Sequence, residues 1–126
     1  MRLLLDTHTL LWVAEGRLGA GTRAAVAERA EAVFVSAASV WEIEVKRALG
    51  RLEAPASVAD LVDRSGFERL AIDFDHALEA GRLPLIHGDP FDRMLIAQAR
   101  VEGLTLATAD QQISRYGVPV LAVTRD

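Results

Sequence analysis

The sequence predicts a three-layer α/β/α sandwich built on a central parallel sheet. Short β-type apolar runs alternate with segments of helical periodicity along the chain, the order that a parallel sheet with crossover helices requires. The first two runs, Leu3-Leu4-Leu5 and Val33-Phe34-Val35, have no polar residue, as expected of strands covered on both faces. With 126 residues there is room for one domain (1–126) of ordinary size and not for two.

Taken in order, a strand is expected over Arg2–Asp6 and a helix over Thr9–Ala14, followed by a helix over Thr22–Glu31 and a second strand over Ala32–Val35. Helices at Ala37–Leu49 and Ser57–Arg64 then lead to a strand at Glu68–Ile72 and a helix at His76–Ala80. Asp89-Pro90 reads as an N-cap followed by proline at the first helical position, opening a helix over Pro90–Glu102 that Gly103 closes. Gly50 and Gly81 stand where C-caps are expected. Strands over Thr105–Ala107 and Val118–Val123, with a short helix at Gln111–Arg115 between them, complete the pattern. Trp12 and Trp41 have apolar neighbours at i+3/i+4 spacing and are assigned to the core.

Composition excludes several classes of function. Apolar residues make up 51% and charged residues 25% of the chain, which sets aside disordered, collagen-like and coiled-coil chains. Acids number 18 against 14 Lys plus Arg, a formal charge of −4, so there is no basic footprint of the kind most nucleic-acid binders carry. Cysteine is absent, which removes disulfides, thiol nucleophiles and cysteine-ligated zinc or iron–sulfur centres. The Leu3-Leu4-Leu5 run is cut by Asp6, too early for a signal-peptide core. No run is long enough to span a membrane, and the expectation is a cytoplasmic protein with no membrane partner.

Open parallel sheets bind ligands outside the carboxyl ends of their strands, so acids at those ends matter most. Asp6 ends the first strand, Asp110 follows the strand-like Leu104-Thr105-Leu106-Ala107, Asp92 lies in the first turn of the Pro90 helix, and Glu42 lies in the helix after Val33-Phe34-Val35. Each also has a purely structural reading. Asp92 favours its helix dipole, Asp89 is an N-cap, Glu42 and Lys46 form an i,i+4 pair, and Asp110 can cap the helix after it. Asp6 resists such a reading best, because an acid at a buried strand end needs a partner. Without these four, acids and bases are equal at 14 each, although any four acids give the same balance. Hard oxygen donors suit Mg²⁺ or Mn²⁺, and no His/Cys set favours zinc.

The segments Leu3-Leu4-Leu5-Asp6-Thr7-His8, Val35 to Ile43 around Trp41-Glu42, Asp89-Pro90-Phe91-Asp92-Arg93-Met94-Leu95-Ile96-Ala97-Gln98-Ala99 and Leu106-Ala107-Thr108-Ala109-Asp110 resemble PIN-domain ribonucleases. The closer resemblance is to the VapC toxins of bacterial toxin–antitoxin pairs. It runs from Arg2 to about Val123, and four motifs in the right order are specific together although none is so alone. The resemblance implies that Asp6, Glu42, Asp92 and Asp110 form an acidic cluster that is both catalytic and metal-binding. It implies metal-assisted hydrolysis of a phosphodiester in a structured RNA such as tRNA or rRNA, leaving a 5′-phosphate and a 3′-hydroxyl. Thr7, Ser36 and Thr108 fall beside those acids as candidates for supporting hydrogen bonds. Lys46, the single lysine, and Arg93 are candidates to orient a carboxylate or meet RNA phosphate. Asp89 is read first as a cap and second as a contact to the metal or its water. His8, His76 and His87 are read as surface or packing residues, with only His87 placed near the site. The resemblance further implies a cognate antitoxin, a homodimer and a toxin–antitoxin hetero-oligomer.

Two readings from other classes remain. One is a PIN fold kept as a silent binding or regulatory module. The other is a receiver-type phosphoacceptor domain, which would need a second acid beside Asp6, where Thr7 stands, and an acid ending the third strand, where Asp73 follows Ile72.

Overall fold

The computed structural model describes Met1–Asp126. Strand β1 (Arg2–Leu5) occupies the centre of a five-stranded sheet. It is flanked by β2 (Ala32–Ser36) and β4 (Thr105–Thr108), with β3 (Glu68–Leu70) and β5 (Val120–Ala122) at the edges. Every pairing is parallel, and Leu4 aligns with Phe34 on one side and Leu106 on the other. The order β3-β2-β1-β4-β5 means that the chain builds outward from β1 in one direction, then returns and builds in the other. The reversal lies between β1 and β4, where doubly wound sheets open a crevice at their carboxyl edge.

The three leucines of β1 explain the layers. Pleating sends alternate side chains to opposite faces, so Leu3 and Leu5 enter one apolar cluster and Leu4 the other. The first cluster takes Leu10 from α1 (Thr7–Ala14), Ile43 from α3 (Ala37–Ala48) and Val62 from α4 (Val58–Arg64). The second takes Leu95 and Ile96 from α6 (Pro90–Glu102) and Ile113 from a 3-10 turn at Gln111–Tyr116. Helix α5 (Phe74–Arg82) packs on α6, and α2 (Ala20–Arg29) is peripheral, burying only Thr22. No helix is long and apolar enough to cross a membrane.

Helix boundaries follow polar caps. Asp6 Oδ1 accepts from Thr9 N–H at 2.8 Å, which starts α1 at Thr7, two residues before the apolar pattern suggests. Asp73 and His76 form a reciprocal capping box that starts α5 at Phe74. That helix continues to Arg82, so Gly81 lies inside it and is not a C-cap. Gly103, at φ 68°, does end α6 in the left-handed region as its sequence position suggests. The edge strands are shorter than their sequence patterns. At β3 the Ala71 carbonyl accepts from the Gln98 side chain (3.3 Å), beyond the strand's last residue.

Trp41 departs from expectation. Helix α3 turns Ala38, Ser39, Glu42 and Ile43 inward, leaving Trp41 61% exposed. Trp12 is half-buried against the first cluster, with the Arg125 guanidinium 5.9 Å from its ring.

Because Leu4 is fully buried at the sheet centre and Leu85 is 93% exposed, the two truncations separate cleanly. Leu4→Ala is expected to cost about 2–5 kcal/mol in urea unfolding, and Leu85→Ala less than about 0.5 kcal/mol.

Candidate metal centre at the carboxyl edge of the sheet

Asp6 leaves β1 directly at the switch point, its N–H donating to the Ala107 carbonyl of β4 at 3.1 Å. The side chain is buried and fixed by its cap to Thr9. Thr7, the next residue, donates its hydroxyl to Glu42 Oε1 at 2.6 Å, and Ser39 Oγ lies 3.2 Å from the same hydroxyl. Lys46 Nζ lies 2.6 Å from the other Glu42 oxygen, Oε2. A buried carboxylate is costly without partners, and Glu42 has one on each oxygen.

The second half of the site comes from α6 and the segment after β4. Asp89 Oδ1 accepts from the N–H groups of Phe91 (2.8 Å) and Asp92 (3.1 Å), capping α6 and placing Asp92 in its first turn. Asp110 Oδ1 accepts from Gln112 N–H at 2.9 Å, while its own N–H donates to Thr108 Oγ1 at 3.0 Å. Between these carboxylates stands His87, with Nε2 3.0 Å from Asp110 Oδ2 and 3.3 Å from Asp92 Oδ2. One donor atom from each of His87, Asp92 and Asp110 lies within 4.8 Å of the others.

The loop that carries His87 is tied down by its neighbours. Arg93 donates to the carbonyls of Ala80, Leu83 and Pro84 at 2.8–2.9 Å, and to that of His87 at 3.4 Å. The Tyr116 hydroxyl accepts from His87 N–H at 2.7 Å and donates to the Pro84 carbonyl at 3.0 Å.

The electrostatics report the same convergence. Burial pushes the Asp92 carboxyl up to about 6, the Asp89 carboxylate adds to this, His87 opposes it, and Glu42 and Asp6 raise it further. The Lys46 ammonium is raised, first by its hydrogen bond to Glu42, with burial opposing and the charges of Glu42, Asp89 and Asp92 adding. Acids from β1, α3 and α6 therefore act on one another at a single edge.

The sequence matches the PIN domain family over residues 3–119. The chain belongs to the PIN-domain family. Its fold is shared with solved structures across nearly their full lengths. DNA-bound VapBC from Salmonella typhimurium superposes with a TM-score of 0.72 at 19% identity, covering 97% of this chain and 98% of that one. VapBC2 from Rickettsia felis, bound to a DNA fragment from its promoter, gives 0.70 at 15% identity, with coverage of 98% and 100%. A toxin–antitoxin complex from Klebsiella pneumoniae gives 0.68 at 20% identity, with coverage of 95% and 96%. No curated protein sequence matches the chain significantly.

In this PIN domain the residues singled out from sequence fall into two groups. Asp6, Glu42, Asp92 and Asp110 lie at the edge with Asp89, Lys46 and Thr7 among them. Ser36 and Thr108 support from below: Ser36 Oγ caps α3 by accepting from Ala38 N–H at 2.9 Å, and Thr108 holds Asp110. Arg93 instead braces the His87 loop through carbonyls. Trp41, exposed, meets Phe91 edge-on at a 5.0 Å centroid distance. His87 is the site residue whose part sequence reasoning left open; its only sequence signal is a position two residues before the Asp89 cap. The gathered donors are carboxylate oxygens, a set that fits a hard divalent cation such as Mg²⁺ or Mn²⁺. Asp92's raised pKa marks a place where added positive charge is favoured.

Folded Asp92 keeps its proton up to about pH 6, whereas the ordinary carboxyl value is 3.8. The folded state thus binds more protons in that interval, and the metal-free protein loses stability as pH rises through it. Asp92→Asn removes this loss. In EDTA it is expected to gain about 1–2 kcal/mol at pH 7.5, discounted for the side chain's partial exposure, and nearly nothing at pH 4. Equal gains at both pH values in thermal melts would contradict the assignment.

Proposed function

We propose that this PIN domain is a divalent-metal-dependent endoribonuclease that acts as the toxin of a toxin–antitoxin pair. The observation that carries the reading is the gathering of Asp6, Glu42, Asp92 and Asp110 at the switch point of the sheet: burial and the charges of Asp89, Glu42 and Asp6 raise the Asp92 pKa, and Asp110 meets Asp92 across His87. These four carboxylates would hold Mg²⁺ or Mn²⁺, which when bound lowers the pKa of a water and offsets charge on the scissile phosphate. The chain's own part is orientation. Caps fix Asp6 and Asp110, Thr7 and Lys46 fix both oxygens of Glu42, and Asp89 sets the direction of the α6 turn that presents Asp92. Lys46 is half exposed at this edge and is placed to meet substrate phosphate as well. The products would be a 5′-phosphate and a 3′-hydroxyl, from a structured RNA such as tRNA or rRNA.

The reading of the partners is supported by the neighbours in structure, which include toxin–antitoxin complexes, among them VapBC and VapBC2 bound to DNA. A cognate antitoxin would cover the acidic edge, and two copies of this chain would pair within a larger hetero-oligomer. Pairing also answers a problem of charge. RNA affinity comes largely from Lys and Arg, and at net −4 one chain offers little basic surface, whereas two can line one groove with arginines from both.

The purified protein is expected to cleave structured RNA with Mg²⁺ or Mn²⁺ and not with EDTA. Asp6→Asn is expected to lower cleavage by more than about 100-fold, beyond the loss typical of outer residues, with a melting temperature level or higher. Expression of the wild type and not of Asp6→Asn should arrest bacterial growth. RNA binding without cleavage in any metal would instead favour the silent binding module. Light scattering at micromolar concentration should give twice 13.7 kDa; active protein at the monomer mass would overturn the dimer.

A further inference from the structure

We infer that His87 is a positioning residue of this centre and not one of its ligands: its Nε2–H donates to Asp110 Oδ2 and stands 3.3 Å from Asp92 Oδ2, so that the ring sets Asp110 relative to Asp92. The inference rests on the metal-centre reading above. His87, Asp92 and Asp110 cluster as tightly as a His–Asp–Asp ligand set would, and distance alone does not separate the two roles. The other ring nitrogen does. Nδ1 accepts from the backbone N–H of Asp89 at 3.2 Å. A backbone amide is a fixed donor, so Nδ1 is bare and the ring carries its proton on Nε2. A ligating imidazole has the reverse arrangement, with the nitrogen toward the ion bare and the opposite N–H donating to a carboxylate or carbonyl. In His87 the bare nitrogen points at the α6 cap, and the N–H donates to Asp110 Oδ2 (3.0 Å) with Asp92 Oδ2 beside it at 3.3 Å.

The surroundings hold that arrangement. The backbone N–H of His87 donates to Tyr116, and its carbonyl receives Arg93. The Asp89 that supplies the donor to Nδ1 is itself fixed as the α6 cap. Asp110 is consequently held from both sides, Oδ1 by Gln112 N–H and Oδ2 by His87. A carboxylate has about four lone-pair sites, so both acids keep lone pairs for an ion while the imidazole fixes the plane of Asp110. Arg93 and Tyr116, which touch no acid in this arrangement, act on the site through His87.

The test follows Mn²⁺ binding by electron paramagnetic resonance in the whole chain, alongside nitrogen NMR of the metal-free ring. The ring spectrum should show a protonated Nε2 and a bare Nδ1, and Mn²⁺ bound to the wild type should show no histidine nitrogen hyperfine coupling. His87→Leu, which fills similar space without a donor, should weaken Mn²⁺ binding about 10–100-fold. His87→Gln, which returns an N–H donor to the same region, should recover most of that loss. Histidine coupling in the wild type, or a protonated Nδ1, overturns the inference without recourse to any variant. His87→Gln as weak as folded His87→Leu, or His87→Leu as tight as the wild type, overturns it as well. Asp6→Asn separates the two levels of the argument. If it leaves Mn²⁺ binding intact, the metal-centre reading fails; if it abolishes binding while His87→Leu changes nothing, that reading stands and the role of His87 falls.

Discussion

Five carboxylates, Asp6, Glu42, Asp89, Asp92 and Asp110, share one edge of the sheet, and two unit charges 4 Å apart interact by about 4 kcal/mol at an effective dielectric near 20. The fold offsets this repulsion one group at a time. Asp6, Asp89 and Asp110 each give Oδ1 to the N–H groups that open a helix, where the backbone dipoles favour negative charge. Glu42 has a hydroxyl on one oxygen and an ammonium on the other. Asp92 has only the His87 contact at 3.3 Å, and burial with the neighbouring charges pushes its carboxyl up to about 6. The same bonds that make the cluster tolerable aim it, because a capped carboxylate has one oxygen committed and its rotamer fixed.

This solution depends on the sheet holding still. β1 is buried on both faces and paired on both sides, so Asp6 is anchored by three leucines and by its own N–H to Ala107. The opposite wall is a loop between α5 and α6, and a loop would ordinarily be the mobile part. Here it is pinned by Arg93 and Tyr116, which satisfy the carbonyls of Leu83 and Pro84 and the N–H of His87. A guanidinium with its five donors in a rigid fork suits such bracing, which a lysine could not reproduce. Rigidity on both walls lets the acids face one another at short range without the pocket opening.

The central strand, the all-parallel sheet and α6 between Asp89 and Gly103 are all legible in the sequence, because each is set by local chemistry: an unbroken apolar run, a cap with proline behind it, a glycine in the left-handed region. Asp6 and Asp110 stand out for the same reason, as charges at or just past the ends of apolar runs. What stays hidden depends on tertiary context. Trp41 reads as core by its spacing, but the inward stripe of α3 is given to Ser39 and Glu42, and the indole is left outside. Gly81 reads as a helix end, yet α5 continues to Arg82. His87 could not be assigned because its role turns on which nitrogen faces a backbone amide, a relation set by the packing of the loop and invisible in the order of residues.

Parallel pairing of β1 with β4 joins the two ends of the chain, and it is this pairing that brings Asp110 to Asp6. Contacts of such long sequence separation close large loops and form slowly. The residues up to α4 already contain Asp6, Thr7, Glu42 and Lys46, but they have no opposite wall. A growing or clipped polypeptide that stops short of β4 therefore has Asp6, Glu42, Asp89 and Asp92 but lacks Asp110 and the strand that sets it beside β1. The negative edge is complete only when the late strand docks beside the first one made, so the timing of any chemistry there is governed by the completion of folding rather than by the synthesis of the residues themselves.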